Sequence, residues 1–252
     1  MAVLELVEPT GHAIQRASDL AGAAAALGRV DRLVPVDPEL HPLLPEGGLR
    51  RGSTVAVAPG ASSLVLALLA GASAAGAWSA VVGMPGLGIL AASQAGVALE
   101  RLALVPEPGP EWATVVAALL DGVDLVVAVP PGPVPARVAS RLAARARQRG
   151  SVLLPVGRWE GAALTLTAGP GVWEGLGAGH GRLRCRELTI TAQGRGAAGR
   201  PRRLRVRLPD PTGRLAAVLP PAPALAAPVP GRGRPALAVI DGESVTEEVR
   251  AA

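Results

Sequence analysis

The sequence predicts an α/β fold: a mostly parallel sheet with helices on both faces, extended on its C-terminal side by antiparallel strands. Three observations carry this. Between residues 52 and 157, short and nearly continuous apolar segments alternate with helix-length segments, as strands buried on both faces of a βαβ sheet require. No side chain from Gly52 to Leu99 is charged. After residue 158 the pattern changes to alternating strands joined by glycine-rich turns, with no helix between them.

Taken in order, residues 11–29 have helical spacing with few bulky apolar groups, a loosely held helix suited to docking. Residues 1–37 are read as this helix and a linker. A proline-punctuated approach leads through Gly47 and Gly48 into a first strand at about 53–57. Helix 62–75, strand 78–82, helix 88–95, strand 102–105, helix 112–120 and strand 125–129 follow. Pro135 opens a helix reaching Arg149, where its missing N–H is tolerated, and strand 152–156 completes the core, 38–157. Segments 163–168, 183–191 and 203–208 make a basic antiparallel region, 158–209, either added to the sheet or forming a small lobe. From 210 to 252, proline and glycine predict a largely disordered tail, in which 236–244 (ALAVIDGES) is at most an edge strand.

Of the 252 residues 49% are apolar, enough for one main core. The single cysteine, Cys185, excludes an internal disulfide and a cysteine-built zinc site. His12, His41 and His180 lack metal-ligand spacing, so neither metal nor cofactor is expected. Every cation is arginine, and the net charge of +5 does not titrate near neutral pH. Residues 64–82 are numerous enough to cross a bilayer, but Gly71, Ser73, Gly76 and Ser79 interrupt them and no cations or aromatic belt flank them. The opening MAVLELVEPTGH lacks the regions of a signal peptide, and a cytoplasmic location without membrane contact is expected.

Strand, loop and helix at 53–75 stand in the order of a phosphate-binding loop, GxxxxGK[ST]. In that motif backbone N–H groups cradle phosphates, lysine reaches the outer ones and the hydroxyl holds magnesium. Here the loop reads Ala58-Pro59-Gly60-Ala61-Ser62-Ser63-Leu64-Val65. Ala58 and Ser63 stand at the glycine positions, Leu64 at the lysine and Val65 at the hydroxyl. Leucine and valine neither offset phosphate charge nor ligate magnesium. Ser62 and Ser63 are expected to cap the helix.

The stretch LLPEGGLRRGSTVAVAPGASSLVLALLAGASAAG resembles the entry of a RecA-family core, a P-loop NTPase-type fold. AWSAVVGMPGLGILAASQAGVALERLALVPEPGPEWATVVAALLDGVDLVVAVPP continues the likeness, which covers about 38–157. Where the family carries its catalytic glutamate, this chain has Pro85 or a neighbour; where it carries the magnesium-binding aspartate, this chain has Val129. Lysine, metal ligand and general base are thus missing together, and no ATPase activity is expected. The chain most closely resembles the actinobacterial ImuA-type proteins, RecA-like accessory members of an inducible mutagenesis cassette. The resemblance implies a noncatalytic scaffold in DNA damage tolerance, nucleoid-associated when active. It would serve a polymerase-like partner (ImuB-type) and an error-prone replicative-type polymerase in translesion synthesis. It also implies that residues 11–29 join the chain to itself or to a partner.

Two arginine clusters are candidate contacts for nucleic acid or an acidic partner. Arg137, Arg141, Arg145 and Arg149 recur every fourth residue along one helix, with Arg147 beside them and no acid between. Arg182, Arg184 and Arg186, then Arg195, Arg200, Arg202, Arg203, Arg205 and Arg207, alternate with aliphatics. If the two strands pair through the glycine-rich turn, they make a basic ribbon with arginines on one face, able to track phosphates without reading sequence. With no tyrosine or phenylalanine, base stacking is poorly supported. The arginines are expected to lower the Cys185 thiol pKa, without a base to make it a nucleophile. Trp78, Trp112, Trp159 and Trp173 are packing residues, the last two also placed to anchor a partner. Two other readings stay open: a nucleotide-binding enzyme whose unconventional site borrows these arginines, and a regulatory protein that docks on a related ATPase without touching DNA.

Overall fold

Strands form where the apolar segments are shortest and most continuous. In chain order they are β1 (Leu33–Val34), β2 (Leu49–Arg50), β3 (Val55–Val57), β4 (Ser79–Val82), β5 (Leu102–Val105), β6 (Leu125–Ala128), β7 (Val152–Pro155), β8 (Leu164–Gly177), β9 (His180–Gly194), β10 (Arg202–Arg207) and β11 (Ala216–Ala217). The helices are α1 (Ser62–Ala74), α2 (Ile89–Ala95), α3 (Trp112–Leu120) and α4 (Ala136–Arg149), with 3-10 turns at Pro38–Leu43 and Leu99–Arg101. This computed structural model describes residues 32–177, 180–195 and 199–218. The helix expected at 11–29 and the strand expected at 236–244 lie outside them, as does the tail beyond 218.

One ladder runs β5-β4-β6-β7, all parallel, and a second runs β3-β8-β9-β10-β11, parallel between β3 and β8 and antiparallel beyond. Parallel bridges Thr54–Leu153 and Val57–Val156 join β3 to β7, so the ladders form one continuous sheet. The antiparallel region is therefore an extension of the sheet and not a separate lobe. Its strands outrun the expected 163–168 and 183–191. Gly169-Pro170-Gly171, just past the expected end of the first strand at 168, lies in a register shift between Ala168 and Gly171, where the irregularity accommodates proline within a strand. Residues 210–218, expected in the tail, form a turn and a strand: the Asp210 carboxylate accepts from the Thr212 and Arg214 N–H groups at 2.8 Å each, turning the chain back into β11.

Strand residues alternate between two cores. Val55, Val57, Val81, Leu125 and Val127 face a layer built around α1, to which Leu40 and Leu43 of the first 3-10 turn and Val206 and Leu208 also belong. Ala56, Ala80, Val82, Val126 and Ala128 face α3 and α4, with Trp112 and Trp159 closing that layer. Helix α1 is apolar nearly all round because it is enclosed nearly all round. Gly71 permits this, since an added Cβ would collide with the backbone of Val36 and Asp37. Helix α4 is amphipathic and buries Ala139, Leu142 and Ala146, leaving its arginines outward.

One ion pair clips the N-terminal ends of the parallel strands. Arg51, just before β3, donates to Asp124, just before β6, at 2.7 Å. The second Asp124 oxygen accepts the Trp78 N–H at 2.9 Å, ahead of β4. The carboxylate thus satisfies a backbone donor and a guanidinium at once.

Candidate functional site

The degenerate loop is filled from within. After β3 the chain passes Ala58, half-buried, and Pro59 and Gly60, both exposed, and enters α1 at Ala61. Leu64 and Val65, in the lysine and hydroxyl positions, are 1% and 0% exposed and belong to the α1 core. Ala61 occupies the cap position and no side chain caps α1, so Ser62 and Ser63 do not cap as expected; they fall one and two places inside the helix. Across the sheet end, Val129 donates its N–H to Val82 O at 2.9 Å, and Pro85 lies exposed on the turn after β4. Gly83, at φ +77°, packs its α-carbon against the Val129 carbonyl, a contact no side chain would allow. At these strand ends, where the RecA-family resemblance expects acids, the β4–β6 ladder runs one bond further through Val129 and the chain carries no acid at Pro85 or Val129.

The two arginine clusters are disposed differently from one another. On α4, Arg137 and Arg141 are exposed with no acidic partner among the described residues. Arg145 and Arg149 converge on Asp121 at the end of α3, Arg145 on both carboxylate oxygens and Arg149 at 3.1 Å. Burial pushes the Asp121 carboxyl up, but the hydrogen bonds and charges of the two arginines outweigh it and hold it below the usual carboxylate value. The acid comes from another helix, which spacing along α4 could not reveal.

Strands β9 and β10 pair as expected, yet their arginines do not share one face. Leu188 pairs with Val206 and Ile190 with Leu204, the first three of these side chains buried on the α1 side. Two residues from Leu188, Arg186 points to that same side, lies 5.7 Å over the Trp173 ring and donates to Gly169 O at 3.4 Å. Arg203, Arg205 and Arg207 point to the other side, opposite Thr191, Thr189 and Glu187. Arg205 is ion-paired with Glu187, and Arg207 lies 3.9 Å from Glu174. Arg184 and Arg200 are exposed and Arg202 half-buried; the Arg182 side chain lies outside the description.

That second side is an open polar ledge. Thr165 pairs with Gln193 and Thr167 with Thr191, and both ladders continue the face of Ala56, which α3 and α4 cover further along. Here Thr165, Thr167, Gln193, Arg203 and Arg205 are exposed instead. Hydroxyls, an amide and guanidinium groups are donors able to pair with phosphate or carboxylate oxygens through hydrogen bonds that carry no base information.

Cys185 is buried, and its thiol donates to Glu174 Oε2 at 3.0 Å. That bond first, and burial second, push its pKa up, with Arg207 opposing them; the expected lowering is overturned. Among the described residues no group of three or more His, Cys, Asp and Glu side chains is placed to hold a metal, and no helix is long and apolar enough to cross a membrane.

Three comparisons bear on this arrangement. The family described as "MT3502 N-terminal domain" matches residues 42–161. The uncharacterized protein Rv3395c of Mycobacterium tuberculosis is 44% identical over 138 residues, 54% of this chain and 63% of that protein. This match therefore spans less than two thirds of the relative's length. Among solved structures, the RadB recombinase superposes with a TM-score of 0.51 at 16% identity, covering 69% of this chain and 94% of that one. The flagellar accessory protein FlaH of Methanocaldococcus jannaschii superposes at 0.52 with 14% identity, covering 75% and 100%. The fold is RecA-like.

Proposed function

We propose that the protein is a noncatalytic RecA-like scaffold in DNA damage tolerance, acting in SOS-type translesion synthesis and induced mutagenesis. The observation that carries the noncatalytic part is the burial of Leu64 and Val65, at 1% and 0% exposure, where ATP chemistry needs a cation and a hydroxyl. The close approach of Gly83 to the Val129 carbonyl, just past the C-terminal ends of β4 and β6, supports it. The ledge of Thr165, Thr167, Gln193, Arg203 and Arg205 offers the contact surface, taking DNA phosphates or an acidic surface of a polymerase-like, ImuB-type partner. An error-prone replicative-type polymerase is the further partner that the RecA-like, ImuA-type resemblance suggests.

The test has a biochemical and a genetic arm. Purified protein with magnesium and ATP should release phosphate no faster than a blank, with or without DNA. Deletion of the gene in its own host should reduce damage-induced mutation, and a chain carrying Arg203→Glu and Arg205→Glu should fail to restore it. Stoichiometric ATP turnover, or full mutagenesis in the deletion strain, would overturn the reading.

A further inference from the structure

Beside the ledge the sheet drops into a cavity of about 670 Å³ that is separate from the degenerate loop. Its walls are Ala136 and Ser140 of α4, the connection Arg158–Ala162 between β7 and β8, and Thr165, Gln193, Gly194 and Arg195. The cavity exists because α4 and Trp159 cover this face of the sheet as far as β3 and β7, and on the same face nothing among the described residues covers β8 and β9 at Thr165 and Gln193. Its volume lies within the range of about 300–1,000 Å³ typical of small-molecule sites.

The lining is chemically biased. Arg158 and Arg195 are both exposed to it, and neither has an ion-pair partner among the described residues. Glu160 lines the same cavity, so two guanidinium groups face one carboxylate and leave an unbalanced positive charge. Ser140 and Thr165 add hydroxyls and Gln193 an amide. Trp159 lines the cavity from the core side, its own indole N–H buried beneath the surface. Guanidinium forks with hydroxyl and amide donors match the oxygens of a phosphate monoester, and the remaining volume admits an organic body larger than phosphate.

We propose that this cavity binds the phosphate monoester of a nucleotide-sized ligand, with Arg158 and Arg195 as the phosphate clamp. Glu160 stands where it repels a second anion and accepts from a hydroxyl or amino group of the ligand. None of residues 58–65 lines the site; it shares Thr165 and Gln193 with the ledge, while Arg158 and Arg195 belong to the cavity and not to the ledge. The phosphate can belong to a free nucleotide or to the 5′ end of a strand; both present the same group to the same arginines.

Isothermal titration of the full chain with AMP, and separately with a 5′-phosphorylated thymidine tetramer and its dephosphorylated form, tests this. Saturable binding of AMP or of the phosphorylated tetramer is expected. Arg158→Gln and Arg195→Gln should each weaken it roughly tenfold or more, while Arg32→Gln, at an exposed arginine outside the cavity and the ledge, leaves it unchanged. Both arginines are exposed, so these variants should fold, which circular dichroism checks. AMP alone binding identifies a free nucleotide; the phosphorylated tetramer binding and its dephosphorylated form failing identifies a strand end. No saturable binding of either phosphate at millimolar concentration, or binding unchanged in the double Arg158→Gln, Arg195→Gln variant, would overturn the proposal.

Discussion

Arg145 of α4 takes both carboxylate oxygens of Asp121, the residue at the end of α3, and so ties together the two helices that cover one face of the sheet. Because the folded-state carboxyl is held below its usual value, the contribution is present at neutral pH and is lost as pH falls through that lowered value. Asp121→Asn should cost about 0.5–1 kcal/mol at pH 7, the modest figure reflecting partners that are partly in water. The Tm gap between variant and wild type should shrink as the pH is brought down through the acid range. A gap independent of pH would place the effect in packing and not in charge.

Arg51 and Asp124 make a stronger claim on stability. Their side chains are only 21% and 25% exposed, and Asp124 also satisfies the Trp78 N–H. Asp124→Ala strips a backbone donor and a guanidinium of their acceptor together and should cost about 1.5–3 kcal/mol in urea unfolding. Arg51→Ala, which leaves the Trp78 bond in place, should cost less.

Leu64 is a core residue in a position that reads as a ligand position. Leu64→Ala should destabilise by about 2–5 kcal/mol, the range for a fully buried leucine. Rebuilding the motif with Leu64→Lys and Val65→Thr should lower Tm and leave ATP turnover absent, since the acids at the other strand ends are missing too. Turnover in that variant would mean the pocket is intact beneath the substitutions.

Cys185 is predicted to react slowly with iodoacetamide near pH 8, because its thiol is buried and donates to Glu174. Glu174→Gln removes the carboxylate that raises its pKa. The variant should therefore alkylate faster, with its pH–rate profile moved to lower pH.

The legible part of the fold was the part decided by local pattern. Runs such as Leu125–Ala128, buried at every position, announce a parallel strand whatever surrounds them, and the spacing of Ala139, Leu142 and Ala146 announces the buried side of α4. What stayed hidden depends on how distant segments meet. Alternation sets which arginines share a face within β9 or within β10, but the offset between the strands decides whether the two sets coincide. The observed pairing of Arg207 with Glu187 puts Arg186 on the opposite side. Asp121 reaches Arg145 across the α3–α4 contact, and Arg158 joins Arg195 at the cavity only because β8 runs beside β3. Neither pairing leaves a mark in local spacing. That Leu64, Val65, Pro85 and Val129 stand where the RecA-family resemblance expects a lysine, a hydroxyl, a glutamate and an aspartate was readable in the sequence; that Leu64 and Val65 are packed into the core was not.

The most direct test of the scaffold account is fluorescence anisotropy of labelled single- and double-stranded DNA against the full chain, over a salt series, with and without ATP. The account predicts binding that weakens steeply with salt, is indifferent to ATP, and loses affinity and salt slope together on Arg203→Ala, as removal of a phosphate contact requires. No binding at low salt would contradict the phosphate-tracking ledge, and binding that required ATP would contradict the noncatalytic reading of the whole molecule.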